Sequence, residues 1–201
     1  YTITSGGQKF AVRCFHRESK GLERRYVAVS KKLAALGSEY FLRFQFQPKG
    51  IRVDGVAYPV VKMARAKGST LGEFLEDNRK NAPALGRLVD SLGMLADFLQ
   101  REGIAHGDLQ SGNLMVSPDG SKVQLIDYDG MFVDEIKDLG SAELGHVNFQ
   151  HPQRKSLNPF DAHLDRFSLI SLSVAIKAMQ AEPAIWDKTA SEADAIVFRA
   201  N

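Results

Sequence analysis

His106-Gly107-Asp108-Leu109-Gln110-Ser111-Gly112-Asn113-Leu114-Met115-Val116, followed by Val123-Gln124-Leu125-Ile126-Asp127, is the stretch on which the reading of this chain turns. A carboxylate and a carboxamide stand five residues apart in a polar loop, and a second carboxylate follows fourteen residues after Asn113, at the end of an apolar run. Taken singly, Asp and Asn are ordinary turn residues. Their joint spacing is a phosphoryl-transfer layout. Asp108 is placed to accept the proton of an attacking hydroxyl. Asn113 and Asp127 offer the hard oxygen ligands that Mg²⁺ demands beside nucleotide phosphates.

Outward from this stretch the pattern predicts strands before it and helices around it. Residues 1–16 read as a hairpin turning at Gly6-Gly7, with Phe10–Phe15 as its second strand. Leu22, Tyr26, Val29, Leu33 and Leu36 recur at helical spacing, and Gly37 ends that helix. Strands are expected around Phe41–Phe46 and Tyr58–Met63, with a turn at Asp54-Gly55. Leu71–Asn78 reads as a short helix capped by Ser69 or Thr70, and Pro83–Glu102 as a long amphipathic one closed by Gly103. Leu164–Gln180 reads as a buried, strongly apolar helix. A strand-rich part followed by a larger helical part implies two lobes, residues 1–66 and 67–201, and an α+β fold.

The bulk composition excludes more than it selects. With 44% apolar residues in 201, the chain can bury a real core. Twenty-six Lys and Arg against 24 Asp and Glu leave a net charge of only +2, so no nucleic-acid partner is expected. Cys14 is the only cysteine and no apolar run approaches the ~20 residues of a membrane span. A cytoplasmic protein with no membrane segment in this chain is the expectation. The chain opens at Tyr1 without an initiator methionine and ends without a helix stop, which reads as a domain truncated at both ends.

The segment at 106–113 resembles the His-Arg-Asp-Leu-x-x-x-x-Asn catalytic loop of the protein-kinase superfamily. With Gly107 in place of arginine it is also similar to the His-Gly-Asp-Leu form of small-molecule phosphotransferases. Asp127-Tyr128-Asp129 resembles the Asp-Phe-Gly segment. Gly145–Gln153 is similar to the end of an activation segment, His151-Pro152-Gln153 standing for Ala-Pro-Glu. Asp165 matches the aspartate that opens the central helix of the large lobe and bonds the catalytic-loop backbone, and His106 matches the packed histidine of that loop. Upstream, Arg13 stands where the phosphate-binding lysine is found. Met63 resembles the gatekeeper, and the backbone at Ala64 and Ala66 resembles the hinge that pairs with adenine. The chain is thus similar to a divergent, bacterial-type member of the Hanks-type serine/threonine kinase superfamily.

That resemblance implies a two-lobed kinase-like fold, ATP and Mg²⁺ as cofactors, a protein as substrate or partner, Asp108 and Asn113 as catalytic residues, Asn113 and Asp127 as metal ligands, and Arg13, Met63, Ala64, Ala66 and Asp127 as nucleotide contacts. The departures are specific. Arginine is longer and planar where lysine is a compact charge. Val29 stands where the helix glutamate is expected, with Glu23 and Glu18 as the nearby acids. Gly107 removes the arginine that would receive a phosphorylated activation loop. No phosphate-covering glycine loop is visible. Three functions follow: phosphoryl transfer to a protein hydroxyl; a pseudokinase acting as a nucleotide-binding or scaffold module; and transfer to a small molecule, or of AMP.

Overall fold

A computed structural model describes residues 1–15 and 21–200. The chain forms two compact units, Tyr1–Ala66 and Lys67–Asn201. The first holds β1 (Thr2–Ser5), β2 (Gln8–Cys14), α1 (Leu22–Leu36), β3 (Phe44–Val53) and β4 (Val56–Ala64), the strands forming an antiparallel sheet in the order β1-β2-β4-β3. Two tight turns set its register. Gly6 and Gly7 carry φ 57° and 76° between paired Ser5 and Gln8, and Asp54 and Gly55 carry φ 49° and 81° between paired Val53 and Val56. Positive φ at both central residues is the geometry whose twist matches that of the flanking strands.

β3 runs seven residues beyond the expected end at Phe46. The Gln47-Pro48-Lys49-Gly50 stretch looks like a breaker in sequence, and the strand absorbs it as a register shift between Gln47 and Ile51. Gly50 fits there because any Cβ would lie 2.2 Å from a Val60 methyl. α1 forms over the expected range, and its C-terminal Gly37, at φ 57°, donates to the Leu33 carbonyl. Its buried stripe of Tyr26, Val29 and Leu33 packs onto the sheet, where Tyr26 stacks on Phe46 at 5.3 Å and meets Phe44 edge-on.

The second unit contains β5 (Ser69–Thr70), α2 (Leu71–Asn78), α3 (Ala82–Glu102), β6 (Leu114–Val116), β7 (Val123–Leu125), α4 (Arg154–Leu157), α5 (Arg166–Ala181) and α6 (Ile185–Lys188). 3₁₀ segments lie at Asp134–Leu139 and Val147–Phe149. Strands β5, β6 and β7 make a small antiparallel sheet. Thr70 caps α2 reciprocally with Glu73: the Glu73 N–H donates to the Thr70 hydroxyl at 3.3 Å and the Thr70 N–H to the Glu73 carboxylate at 2.7 Å. Asn81 caps α3, which ends on Gly103 at φ 63°.

α3 and α5 form the centre of this unit. Leu85, Leu88, Leu92, Leu95 and Leu99 of α3, and Leu172, Ile176 and Met179 of α5, are almost fully buried. Each such side chain contributes about 1.5–3 kcal/mol relative to an exposed one, so this helix pair is a rigid platform for the loops around it. The architecture is α+β: a small antiparallel-sheet unit and a mainly helical unit. No helix among the described residues is long and apolar enough to cross a membrane.

Candidate active site

The loop from Ala105 to Asn113 enters from α3 and is held at both ends by backbone pairing. Ala105 and Phe132 exchange hydrogen bonds at 3.3 and 2.9 Å, and the Ile126 N–H donates to the Asn113 carbonyl at 3.0 Å. Gly107 takes φ 81°, and a Cβ there would lie 2.3 Å from the Gly130 carbonyl oxygen. The position occupied by arginine in the resembling loop is therefore closed to any L side chain here. The polypeptide at Gly130 fills that space.

Asp108 is nearly buried, and both of its oxygens are engaged. Oδ2 accepts from the Asn113 amide nitrogen at 2.9 Å and from Gln110 at 2.6 Å, while Oδ1 accepts from the His146 backbone N–H at 2.8 Å. A carboxylate has about four acceptor directions, so one remains for a further donor. Gly145 makes the His146 contact possible. It has φ 76°, and a Cβ on it would stand 2.9 Å from Asp108 Oδ1 and 2.6 Å from the Gln150 amide nitrogen.

Asn113 spends its amide nitrogen on Asp108, bonding the backbone carbonyl and the carboxylate at 2.9 Å each. That assignment leaves its Oδ1 as the hard oxygen available to a cation. The pairing of Leu114 with Leu125 continues into Asn113 and Ile126, which brings Asp127 to the same end of the hairpin as Asn113. Asp127 has φ 63°, an uncommon backbone state for a non-glycine residue and one that recurs at functional sites. These two oxygen-bearing residues suit Mg²⁺. Among the described residues, no group of three His, Cys, Asp or Glu side chains could cage a metal. A cation here would take the rest of its shell from water and phosphate.

Asp165 supports the loop from below. At the N-terminus of α5, its carboxylate accepts from the His106 N–H at 2.5 Å and the Gly107 N–H at 2.8 Å instead of capping its own helix. Full burial pushes this carboxyl above its ordinary range, opposed by nearby His106, by the two amide bonds and by Arg154. His106 itself is completely buried, with Nε2 bonded to the Ile126 carbonyl at 2.9 Å and its ring edge-on to Tyr128. Tyr128 donates its hydroxyl to the Leu125 carbonyl at 2.7 Å, and Asp129 lies inside the turn closed by the Met131 N–H and the Tyr128 carbonyl.

Sequence reasoning missed Arg154. It is 5% exposed, and its guanidinium donates to the Leu144 carbonyl at 3.3 Å, the Ser141 hydroxyl at 3.0 Å, the Glu143 carbonyl at 3.4 Å and the Pro159 carbonyl. Burial lowers its pKa, while Asp165, Asp161, Glu143 and Asp108 pull it back up. The side chain pins residues 141–144, and so aims the following Gly145-His146 step at Asp108. A single arginine beside His151-Pro152-Gln153 carries no periodic signal, and its importance appears only in three dimensions.

In the first unit Arg13 lies on β2 and Met63 and Ala64 on β4, with Ala66 just beyond it. Cross-strand partners share a face, so the rows Arg13–Val61–Phe46 and Ala11–Met63–Phe44 lie on the side that Tyr26 of α1 covers. Arg13 and Met63 thus share one face of the sheet. β2 is an inner strand, not an edge. Ala64 donates its N–H to the Arg43 carbonyl at 3.4 Å, and Ala66 is half-buried at the end of the unit. Val29 is 1% exposed against the sheet, whereas Glu23 is exposed, about 120° round the helix from it. Glu18 lies outside the described residues.

No protein-family model matches the chain, and no curated protein sequence matches it. Among solved structures, the fold is similar to that of the kinase PK-1 of Cydia pomonella granulovirus, with a TM-score of 0.64 and 14% sequence identity. The match covers 88% of this chain and 62% of the viral one, so the chain spans less than two thirds of its neighbour's length. The fold is protein-kinase-like.

Proposed function

We propose that the chain is a phosphotransferase of the protein-kinase type, moving the γ-phosphoryl group of ATP to a serine or threonine hydroxyl of a protein. The observation that carries this reading is the Asp108–Asn113 pair, locked at 2.9 Å, with Asp127 brought to the same hairpin end in a left-handed backbone state. In the proposed step the acceptor oxygen forms a bond to the γ-phosphorus and its proton passes to the Asp108 carboxylate. The bond from the γ-phosphorus to the bridging oxygen breaks, its electron pair leaving on ADP. Asn113 Oδ1 and Asp127 are the proposed Mg²⁺ ligands, and the ion would supply neutralisation of phosphate charge. Arg13 is the proposed phosphate contact, and the Met63–Ala66 backbone the adenine contact. The cytoplasm, where ATP is held, is the compartment we propose.

Mg²⁺ with ATP should raise the melting temperature of the full chain, because a ligand at about 100 times its Kd adds about 2.7 kcal/mol to the native state. Asp127→Asn should abolish that shift. Asp108→Asn should keep it and lower transfer of radiolabelled γ-phosphate by about 10²–10⁴-fold, the usual worth of a general base. Absence of any shift with the parent protein at millimolar Mg-ATP overturns the reading.

A second reading, a nucleotide-binding scaffold without transfer, has its own support. Val29 replaces an acid on α1, and both oxygens of Asp108 already accept hydrogen bonds. It is favoured if Mg-ATP stabilises the protein but neither γ- nor α-labelled phosphate moves to any acceptor. Movement of the α-label alone would mark AMP transfer.

A further inference from the structure

Beside Asp108 the surface of the second unit holds a half-open cavity of about 510 Å³. One wall is the segment after Leu144, and the other is Arg199 and Ala200. Two side chains fix the second wall in place. Asn148 donates to the Asp194 carbonyl at 2.7 Å and accepts from the Ala200 N–H at 2.9 Å, while Ser111, within the loop that carries Asp108 and Asn113, donates to the Ala193 carbonyl. Ala195 and Ile196, between these tethers in sequence, are buried. The cavity is therefore built by tertiary contacts on both sides. Its inner edge is Gly145, the residue packed on the Asp108 carboxylate.

Every permanently charged side chain lining this cavity is basic: Arg154, Lys155 and Arg199, with His151 as the one other titratable group. Arg154 lies deep, and Asp161, Glu143, Asp165 and Asp108 offset its charge. Arg199 is exposed and pairs with Glu192 at 2.8 Å. Lys155 is exposed and, among the described residues, has no carboxylate partner. After these offsets the uncompensated positive charge at the cavity is that of Lys155, on a chain whose net charge is only +2.

We propose that this cavity selects the acceptor: it takes a protein segment bearing glutamates or aspartates next to the hydroxyl that is modified, with Lys155 and Arg199 as the specificity-determining residues. The proposal rests on the phosphotransferase reading, which assigns Asp108 to the acceptor side. A carboxylate from such a segment finds Lys155 unpaired and can share Arg199 with Glu192.

The test uses the full chain and two fluorescein-labelled peptides, each with one serine, flanked by glutamates in one and by lysines in the other. Fluorescence anisotropy should show the glutamate peptide bound roughly tenfold more tightly, the expectation for two partly exposed ion pairs. The double variant Lys155→Glu/Arg199→Glu should abolish or invert that preference, while Lys31→Glu on α1 should leave it unchanged. Both altered side chains are exposed, but Arg199→Glu sets a carboxylate against Glu192, so Lys155→Gln/Arg199→Gln, which should also abolish the preference, is the second variant, with an unchanged circular dichroism melt verifying its fold. Equal binding of the two peptides, a preference that survives the double variant, or preferential displacement of the peptide by a single-stranded oligonucleotide would each overturn the proposal. Binding is read without nucleotide. Failure of the phosphotransferase reading shows separately, as no Mg-ATP shift and no transfer to either peptide.

Discussion

Replacing Gly107 by alanine adds a single methyl group at the point where the Ala105–Asn113 loop meets Gly130. The residue holds φ 81°, a state that costs an L side chain about 1–2 kcal/mol. The new carbon would also start 2.3 Å from the Gly130 carbonyl oxygen, roughly 1 Å inside ordinary C···O contact. Neither backbone can yield freely. Gly107 donates to buried Asp165 at 2.8 Å, and Ala105 pairs with Phe132 two residues away. Relieving the overlap stretches the Asp165 bond, whose loss costs about 1.5–3 kcal/mol for a charged acceptor. The whole penalty is roughly 3–5 kcal/mol, and at roughly 2–4 °C per kcal/mol for a chain of this size the melting temperature should fall by about 10 °C. Gly107→Arg, which restores the residue of the resembling loop, should do at least as much harm. Gly112→Ala is the control, since that position has no positive φ and nothing within 4 Å of its Cβ. Calorimetric melts of the three variants decide the matter. A Gly107→Ala protein that melts with the parent would refute the steric argument.

Arg154→Met should destabilise by about 2–4 kcal/mol, because three part-buried carbonyls lose a charged donor and the methionine returns no hydrogen bond. Amide exchange at His146 should accelerate in the same variant, a change that general destabilisation spread over α3 and α5 would not concentrate there. Thr70→Ala should cost about 1 kcal/mol by removing the reciprocal cap on α2, read as a lower denaturation midpoint. The Thr70 amide and hydroxyl hold the Glu73 carboxyl below its ordinary 4.5. The unfolded chain binds the extra proton first, so the cap's contribution is full above 4.5 and is lost as pH falls through the lower folded value. The Thr70→Ala penalty should therefore shrink in acid. Asp119, bonded by the Ser117 hydroxyl and by the amide and hydroxyl of Ser121, should titrate near 2 by NMR, and Ser117→Ala should move it towards 3.8.

Much of this molecule was legible in the chain because its signals are local. The stripe on α1, the Gly37 and Gly103 stops, the Thr70 cap and the two positive-φ turns all operate within a few residues, and each stands where spacing places it. Only the far part of β3, after Phe46, escaped, because Pro48 and Gly50 look like a break and the register shift between Gln47 and Ile51 alone shows that pairing resumes. The loop motif brought Asp108 and Asn113 to notice because their five-residue spacing is itself the geometry. Arg154, the His146 amide and the Ala193–Ala200 wall were invisible for the opposite reason. Each acts through a backbone carbonyl or N–H that has no signature in residue identity, and the partners of the His146 amide and of the Ala193 carbonyl lie 38 and 82 residues away.

That contrast also bears on how the candidate site is held together. Asp165 grips two backbone amides, Asp108 is oriented by another, and Arg154 clamps three carbonyls. The polar partners that position the loop and the segment before α4 are mostly main chain. Gly107 allows the loop backbone to meet that of Gly130, and Gly145 allows the segment before α4 to pack on the Asp108 and Gln150 side chains. An arginine at 107 would offer a receptor for a phosphorylated segment, but here the space for it is filled by Gly130. Arg154 already performs the ordering with carbonyls that are always present. A site pinned in this way needs no phosphate on residues 131–144 to become ordered. Phosphomimetic substitution of Ser141, whose hydroxyl meets Arg154 at 3.0 Å, should on this argument loosen the segment by competing with the Leu144 and Glu143 carbonyls for the guanidinium. Faster exchange of the His146 amide in Ser141→Glu would support that logic, and slower exchange would overturn it.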